Sequence, residues 1–179
     1  MSDKRHSAKT AVICALLAVL GAVLGILEGM LPLNLVLPIP GVKLGLANLF
    51  VMCAFLMYGA PGAFAVSAAR ILLVFMFSGN VTAFLLSSAG GAAAFIGLWG
   101  MMRFYGRRCT MIGISAVSSA LHGVGQTAAA LCLIGTPVLY YLPVLCGCCA
   151  LTGVFTGALT NRIARRLPDL TSRLAQNNH

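Results

Sequence analysis

Apolar runs separated by short polar or Pro/Gly-rich breaks divide the chain into six segments, at about 11–30, 42–58, 63–77, 81–102, 110–134 and 138–161. A helix rises about 1.5 Å per residue and a bilayer's hydrocarbon core is roughly 30 Å thick, so runs of about 20 residues predict membrane-crossing helices. The connection at 31–41 carries Pro32, Pro38 and Pro40 and cannot continue a helix. Gly59-Ala60-Pro61-Gly62 marks a tight turn. Basic residues at both chain ends and in the connection after 102 (Arg103, Arg107, Arg108) predict that both termini face the cytoplasm.

Polar positions inside these runs are few and patterned. In the first run Ala11 and Ala15, then Ala18 and Ala22, recur every fourth residue beside Gly21, Gly25 and Gly29, a ladder that lets another helix approach closely. Glu28 closes that run at the negative end of the helix dipole, where a carboxylate is disfavoured without a partner or ligand. Lys43 and Asn48 open the second run, and Arg70 sits within the third. In the fifth, Ser115, Ser118, Ser119, His122 and Gln126 follow three-and-four spacing and share one face. Thr152, Thr156 and Thr160 share a face of the sixth beside Gly153 and Gly157, which reads first as helix packing.

Composition places the whole chain in one class. Of 179 residues, 60% are hydrophobic and 8% charged, far from the roughly 25% charged residues of soluble domains. The reading is an all-α integral membrane protein with a single membrane domain over 1–179: a cytoplasmic N-terminus at 1–10, six transmembrane helices at 11–161, and a basic tail at 162–179 along the inner membrane surface. The net charge of +9 is a topology signal rather than a nucleic-acid footprint, because it gathers at the ends and one loop. Lys4, Lys9 and Lys43 are the lysines, and none stands in a phosphate-binding Gly-x-x-x-x-Gly-Lys loop, which excludes a nucleotide-hydrolysing module. Seven cysteines lie almost entirely in apolar runs, including Cys146, Cys148 and Cys149, and read as packing residues rather than disulfides or metal ligands.

Depth separates the polar groups from generic filler. Glu28 and Lys43 fall near the outer face, Asn48 roughly 8 Å deeper, and Arg70 near the midplane. His122 and Gln126 lie at or above that midplane. Glu28, Lys43, Asn48, Arg70, His122 and Gln126 are therefore predicted to line one outward-opening cavity. With His122 neutral, two cations against one anion leave a positive charge that an anionic solute would balance; pairing among the side chains themselves is the competing structural explanation.

The string Pro40-Gly41-Val42-Lys43-Leu44-Gly45-Leu46-Ala47-Asn48, with Arg70, Ser88-Ala89-Gly90-Gly91 and His122-Gly123-Val124-Gly125-Gln126, resembles the Gx transporter family, also labelled heptaprenyl diphosphate synthase component I. That family is similar to the substrate-binding S components of energy-coupling factor transporters. The resemblance implies a six-transmembrane-helix bundle of S-component type in the bacterial cytoplasmic membrane. It also implies capture of a vitamin-like solute from outside, and docking through Ala11, Ala15, Ala18 and Ala22 on a coupling membrane subunit driven by two ATPases. Lys43 and Asn48 would contribute to the solute site.

No cofactor and no catalysis are expected. Prenyl transfer needs clustered aspartates holding magnesium at a diphosphate, and the chain has three acidic residues in all, Asp3, Glu28 and Asp169. The alternative is a membrane accessory subunit in isoprenoid-quinone synthesis or flavin-linked extracellular electron transfer.

Overall fold

The computed structural model describes residues 2–30, 41–105 and 109–166, with side chains described from Ala8 onward. The proline-rich connection at 31–40, Arg107 and Arg108, the side chains of Lys4 and Arg5, and the stretch 167–179 lie outside the described residues.

Five α-helices make up the described chain: α1 (Ser2–Gly29), α2 (Asn48–Ser78), α3 (Val81–Met102), α4 (Met111–Ile134) and α5 (Leu142–Arg166), with a 3₁₀ helix over Thr136–Tyr141 leading into α5. All five segments are long and apolar enough to cross a membrane. Their ends follow local chemistry. The Asn80 side chain accepts from the Ala83 amide at 2.9 Å and caps α3, and the Thr110 hydroxyl accepts from the Gly113 amide at 3.2 Å and caps α4.

The expected second and third spans fall within one helix, α2, which is bent back on itself. Gly59 has φ 70° and ψ −164°, a conformation that costs a residue with a side chain far more than glycine. The reversal is visible in one hydrogen bond. Asn48 and Arg70 touch at 2.8 Å although a straight helix would hold them about 33 Å apart. The arm from 48 to 58 therefore runs antiparallel to the arm from 60 to 78. At about 16 Å the first arm is half a crossing. The expected helix over 42–58 is thus helical only from Asn48; residues 41–47 reach the arm as non-helical backbone.

Membrane helices gain little from excluding water, so close backbone approach does most of the packing. A Cβ on Gly153 would stand 2.7 Å from Ala116 Cα, and one on Gly157 would stand 2.8 Å from Ile112 Cα, so these glycines let α5 lie directly on α4. The seam is tied by Ser115 and Thr156, whose hydroxyls are 3.0 Å apart. Thr160 donates back to the Thr156 carbonyl. Ser118 donates to the Ala94 carbonyl of α3 at 2.7 Å. All seven cysteines are free thiols.

Ala164 of α5 packs in one cluster with Met102 and Met111, at the end of α3 and the start of α4. Arg103, Arg162, Arg165 and Arg166 therefore gather at one end of the bundle. Arg103 stacks over Trp99 at 4.7 Å. Arg162, Arg165 and Arg166 were expected in a surface-lying tail but belong to α5; the last two occupy its final turn, where cations suit the helix dipole.

Candidate functional site

The site is organised by the non-helical stretch 41–47, which enters the bundle between α1, α4 and α5. Irregular backbone survives at membrane depth only where protein groups satisfy it. Four of its backbone groups are met by side chains from three helices. Gln126 of α4 takes two: its Oε1 accepts from the Lys43 amide at 3.0 Å and its Nε2 donates to the Lys43 carbonyl at 2.6 Å. The Thr152 hydroxyl of α5 donates to the Leu44 carbonyl at 2.8 Å. The Glu28 carboxylate of α1 accepts from the Gly45 amide at 2.7 Å, and the amides of Leu44 and Leu46 interact with the same carboxylate. Glu28, placed by sequence at an unfavourable helix end, thus finds its partners in this backbone.

His122 fills the space beside this stretch. A Cβ on Gly45 would stand 3.3 Å from the His122 ring, and one on Gly90 would stand 2.9 Å from it, so the imidazole is held between two glycines. Gly45 also has φ +89°, a conformation that strains any residue with a side chain, and the close ring adds to that cost. The Ser-Ala-Gly-Gly string of α3 thereby acquires a structural reason.

Below, Arg70 is 7% exposed and donates from Nη2 to Asn48 Oδ1 at 2.8 Å. Among the described residues its Nε and the Asn48 Nδ2 have no hydrogen-bond partner. Arg70 lies against Gly21, while Lys43 approaches Gly25 and Gly29 one and two turns further along α1. The glycine stripe of α1 therefore makes room for two cationic side chains.

Between these groups is a cavity of about 20 Å³, the room of one water, lined among others by Glu28, Lys43, Gly45, Arg70, Ser87 and His122. The Ser87 hydroxyl is also without a partner among the described residues. Lys43 and Arg70 act on one another as like charges, and Glu28 balances one of them. With a neutral imidazole, the formal charges of Glu28, Lys43 and Arg70 sum to one positive.

All six polar residues singled out in the sequence come together here: Glu28, Lys43 and Arg70 line the cavity with His122, Asn48 holds Arg70, and Gln126 holds Lys43. Thr152 was read as a packing residue and instead secures the inserted stretch. Its spacing of four residues to Thr156, and of four again to Thr160, carries no sign of this. Ser87, which the sequence presents only as one of several small residues of its run beside Ser88, Gly90 and Gly91, also lines the cavity. Of the alanine ladder, Ala18 and Ala22 are buried in the bundle, whereas Ala11 and Ala15 are exposed on α1.

No curated protein and no solved structure matches the chain. The family model described as Heptaprenyl diphosphate synthase component I matches residues 17–163, which take in part or all of each helix and every residue of the site, and the chain belongs to that family.

Proposed function

We propose that this protein is a non-catalytic membrane subunit that binds the anionic group of a small solute at the Lys43–Arg70 cavity and works with partner subunits. One observation carries the reading. Arg70, deeply buried, keeps an Nε with no partner among the described residues, beside a cavity that also receives Lys43 and the Ser87 hydroxyl, likewise unpaired among them. A buried donor without an acceptor costs about 1–3 kcal/mol, and more when charged, so a site keeping several is shaped for a ligand that supplies acceptors. A self-contained staple would have paired them.

In its finer form the reading is an S-component-like capture protein. The end rich in arginine faces the cytoplasm by the positive-inside rule, and the end with Glu28 and Lys43 faces out. A solute then enters from outside, past the 41–47 stretch, whose displacement enlarges a cavity now fit for one water. Ala11 and Ala15, exposed on α1, remain open to a coupling membrane subunit that brings the two ATPases.

The family description favours a second reading, an accessory membrane subunit beside a soluble prenyl-chain synthase. Purification from the native membrane separates the two. Co-elution with a coupling subunit and ATPases supports capture and transport; co-elution with a synthase supports the accessory role. Anion binding itself is tested by titrating inorganic diphosphate into the protein in nanodiscs: saturable binding lost in Arg70→Ala supports the site, and no binding, or binding untouched by that change, overturns it.

A further inference from the structure

An apolar groove of about 440 Å³ runs between the second arm of α2 and α3. This is within the range of small-molecule sites, roughly 300–1,000 Å³. Phe64 and Phe95 line it with ring centroids 5.6 Å apart, and Phe84, also in its wall, pairs with Phe75 at 4.7 Å. On α3 its lining runs from Phe84 to Ile96, so the groove is about 18 Å long. Phe64, Leu72 and Ile96 on its rim are exposed, which opens it toward the bilayer.

The groove is not an isolated lipid-facing dent. Ile71 lines both it and the Lys43–Arg70 cavity, and is the residue next to Arg70 in sequence. Gly91 leaves Ile71 its space: a Cβ there would stand 2.8 Å from Ile71 Cδ1. One side chain therefore separates a surplus buried cation from an elongated apolar trough. Neighbouring serines mark the same wall, Ser87 on the cavity side and Ser88 on the groove side.

We infer that the solute is an amphiphile, with its anionic head at Lys43 and Arg70 and its apolar chain lying in the groove between α2 and α3, past Ile71. This rests on the anion-binding reading above and adds to it the chemistry of the rest of the ligand. A head alone would leave the trough without a use, and a chain alone would leave the charge unbalanced. The charge needs a head of at least one formal negative charge, and the length needs a single slender chain. A prenyl phosphate or diphosphate and a straight-chain lipid phosphate share that chemistry.

The test uses the full chain in phosphatidylcholine nanodiscs, titrated separately with farnesyl diphosphate, dodecyl phosphate, inorganic diphosphate and farnesol. Farnesyl diphosphate is expected to bind at least tenfold tighter than inorganic diphosphate and than farnesol. Ala92→Phe, which fills the groove from its rim, is expected to remove that advantage while leaving inorganic diphosphate binding unchanged. Dodecyl phosphate binding as well as farnesyl diphosphate supports a straight-chain lipid source, and its failure supports a prenyl source. Equal affinity for inorganic and farnesyl diphosphate overturns the amphiphile and leaves the anion site standing. Failure of every anion to bind overturns both. A photoactivatable farnesyl diphosphate analogue on the unaltered protein gives a second readout that no folding defect can mimic. Adducts within 64–72 or 84–96 support the groove, and adducts confined to the exposed face of α1 overturn it.

Discussion

Gln126 holds Lys43 by its peptide rather than by its charge: the carboxamide closes two hydrogen bonds on one residue, 3.0 Å to the amide and 2.6 Å from the carbonyl. The side chain of Lys43 is thereby left to the cavity. A helix–helix staple would have used the lysine itself, so this division between backbone anchoring and side-chain availability is the feature that favours a ligand.

Gln126→Leu leaves the Lys43 amide and carbonyl unpaired in a buried setting, a cost of about 1–3 kcal/mol for each group. The expected result is a clear fall in the thermal midpoint in nanodiscs, with a smaller fall for Gln126→Glu, which keeps the acceptor and loses the donor. Equal melting of the three proteins would show that the 41–47 stretch does not depend on this clamp.

Thr152→Val removes the donor to the Leu44 carbonyl while keeping the shape of the side chain. A loss of about 1 kcal/mol of stability is expected, together with weaker retention of anions, since the same stretch carries Lys43. Thr160→Val, which loses a bond back to its own helix and an interaction with the Cys53 side chain but touches nothing in the 41–47 stretch, is the control and should leave anion binding unchanged.

Glu28→Gln keeps an acceptor for the Gly45 amide but removes the site's one negative charge. With Lys43 and Arg70 no longer balanced, affinity for inorganic diphosphate should rise severalfold while thermal stability falls, measured by titration and melting of the same sample. A drop in affinity would mean that the carboxylate itself belongs to the ligand's contacts.

Gly153→Ala places a methyl group 2.7 Å from the Ala116 Cα across the α4–α5 seam. Overpacking of this kind costs about 1–3 kcal/mol. Gly153 itself does not line the cavity, so the midpoint should fall with anion affinity preserved as long as the neighbouring Thr152 keeps its bond to Leu44. Loss of both would show that the seam and the site are coupled.

Much of this was legible because polarity inside an apolar run is conspicuous. Glu28, Lys43, Asn48, Arg70, His122 and Gln126 stood out by depth alone, and the structure brings all six to one place. The serine part of the α4 stripe was equally visible, but it divides by function: Ser115 and Ser118 tie helices, while His122 and Gln126 build the site. Backbone roles were not legible. The Pro-Gly-Val-Lys-Leu-Gly-Leu-Ala-Asn string has helix-compatible hydrophobicity, and nothing in its periodicity says that it stays non-helical until Asn48. That outcome is set by partners more than 80 and 100 residues away in sequence, Gln126 and Thr152. The turn at Gly59 was legible as a break. The shortness of the arm before it followed from the insertion, not from any signal of its own.

The most direct measurement is native mass spectrometry of the protein released from its own membrane, comparing the natural sequence with Arg70→Ala. The account predicts a bound anionic species on the natural protein that is absent from the variant. An adduct carried equally by both, or by neither, would contradict the claim that the Lys43–Arg70 cavity holds the solute.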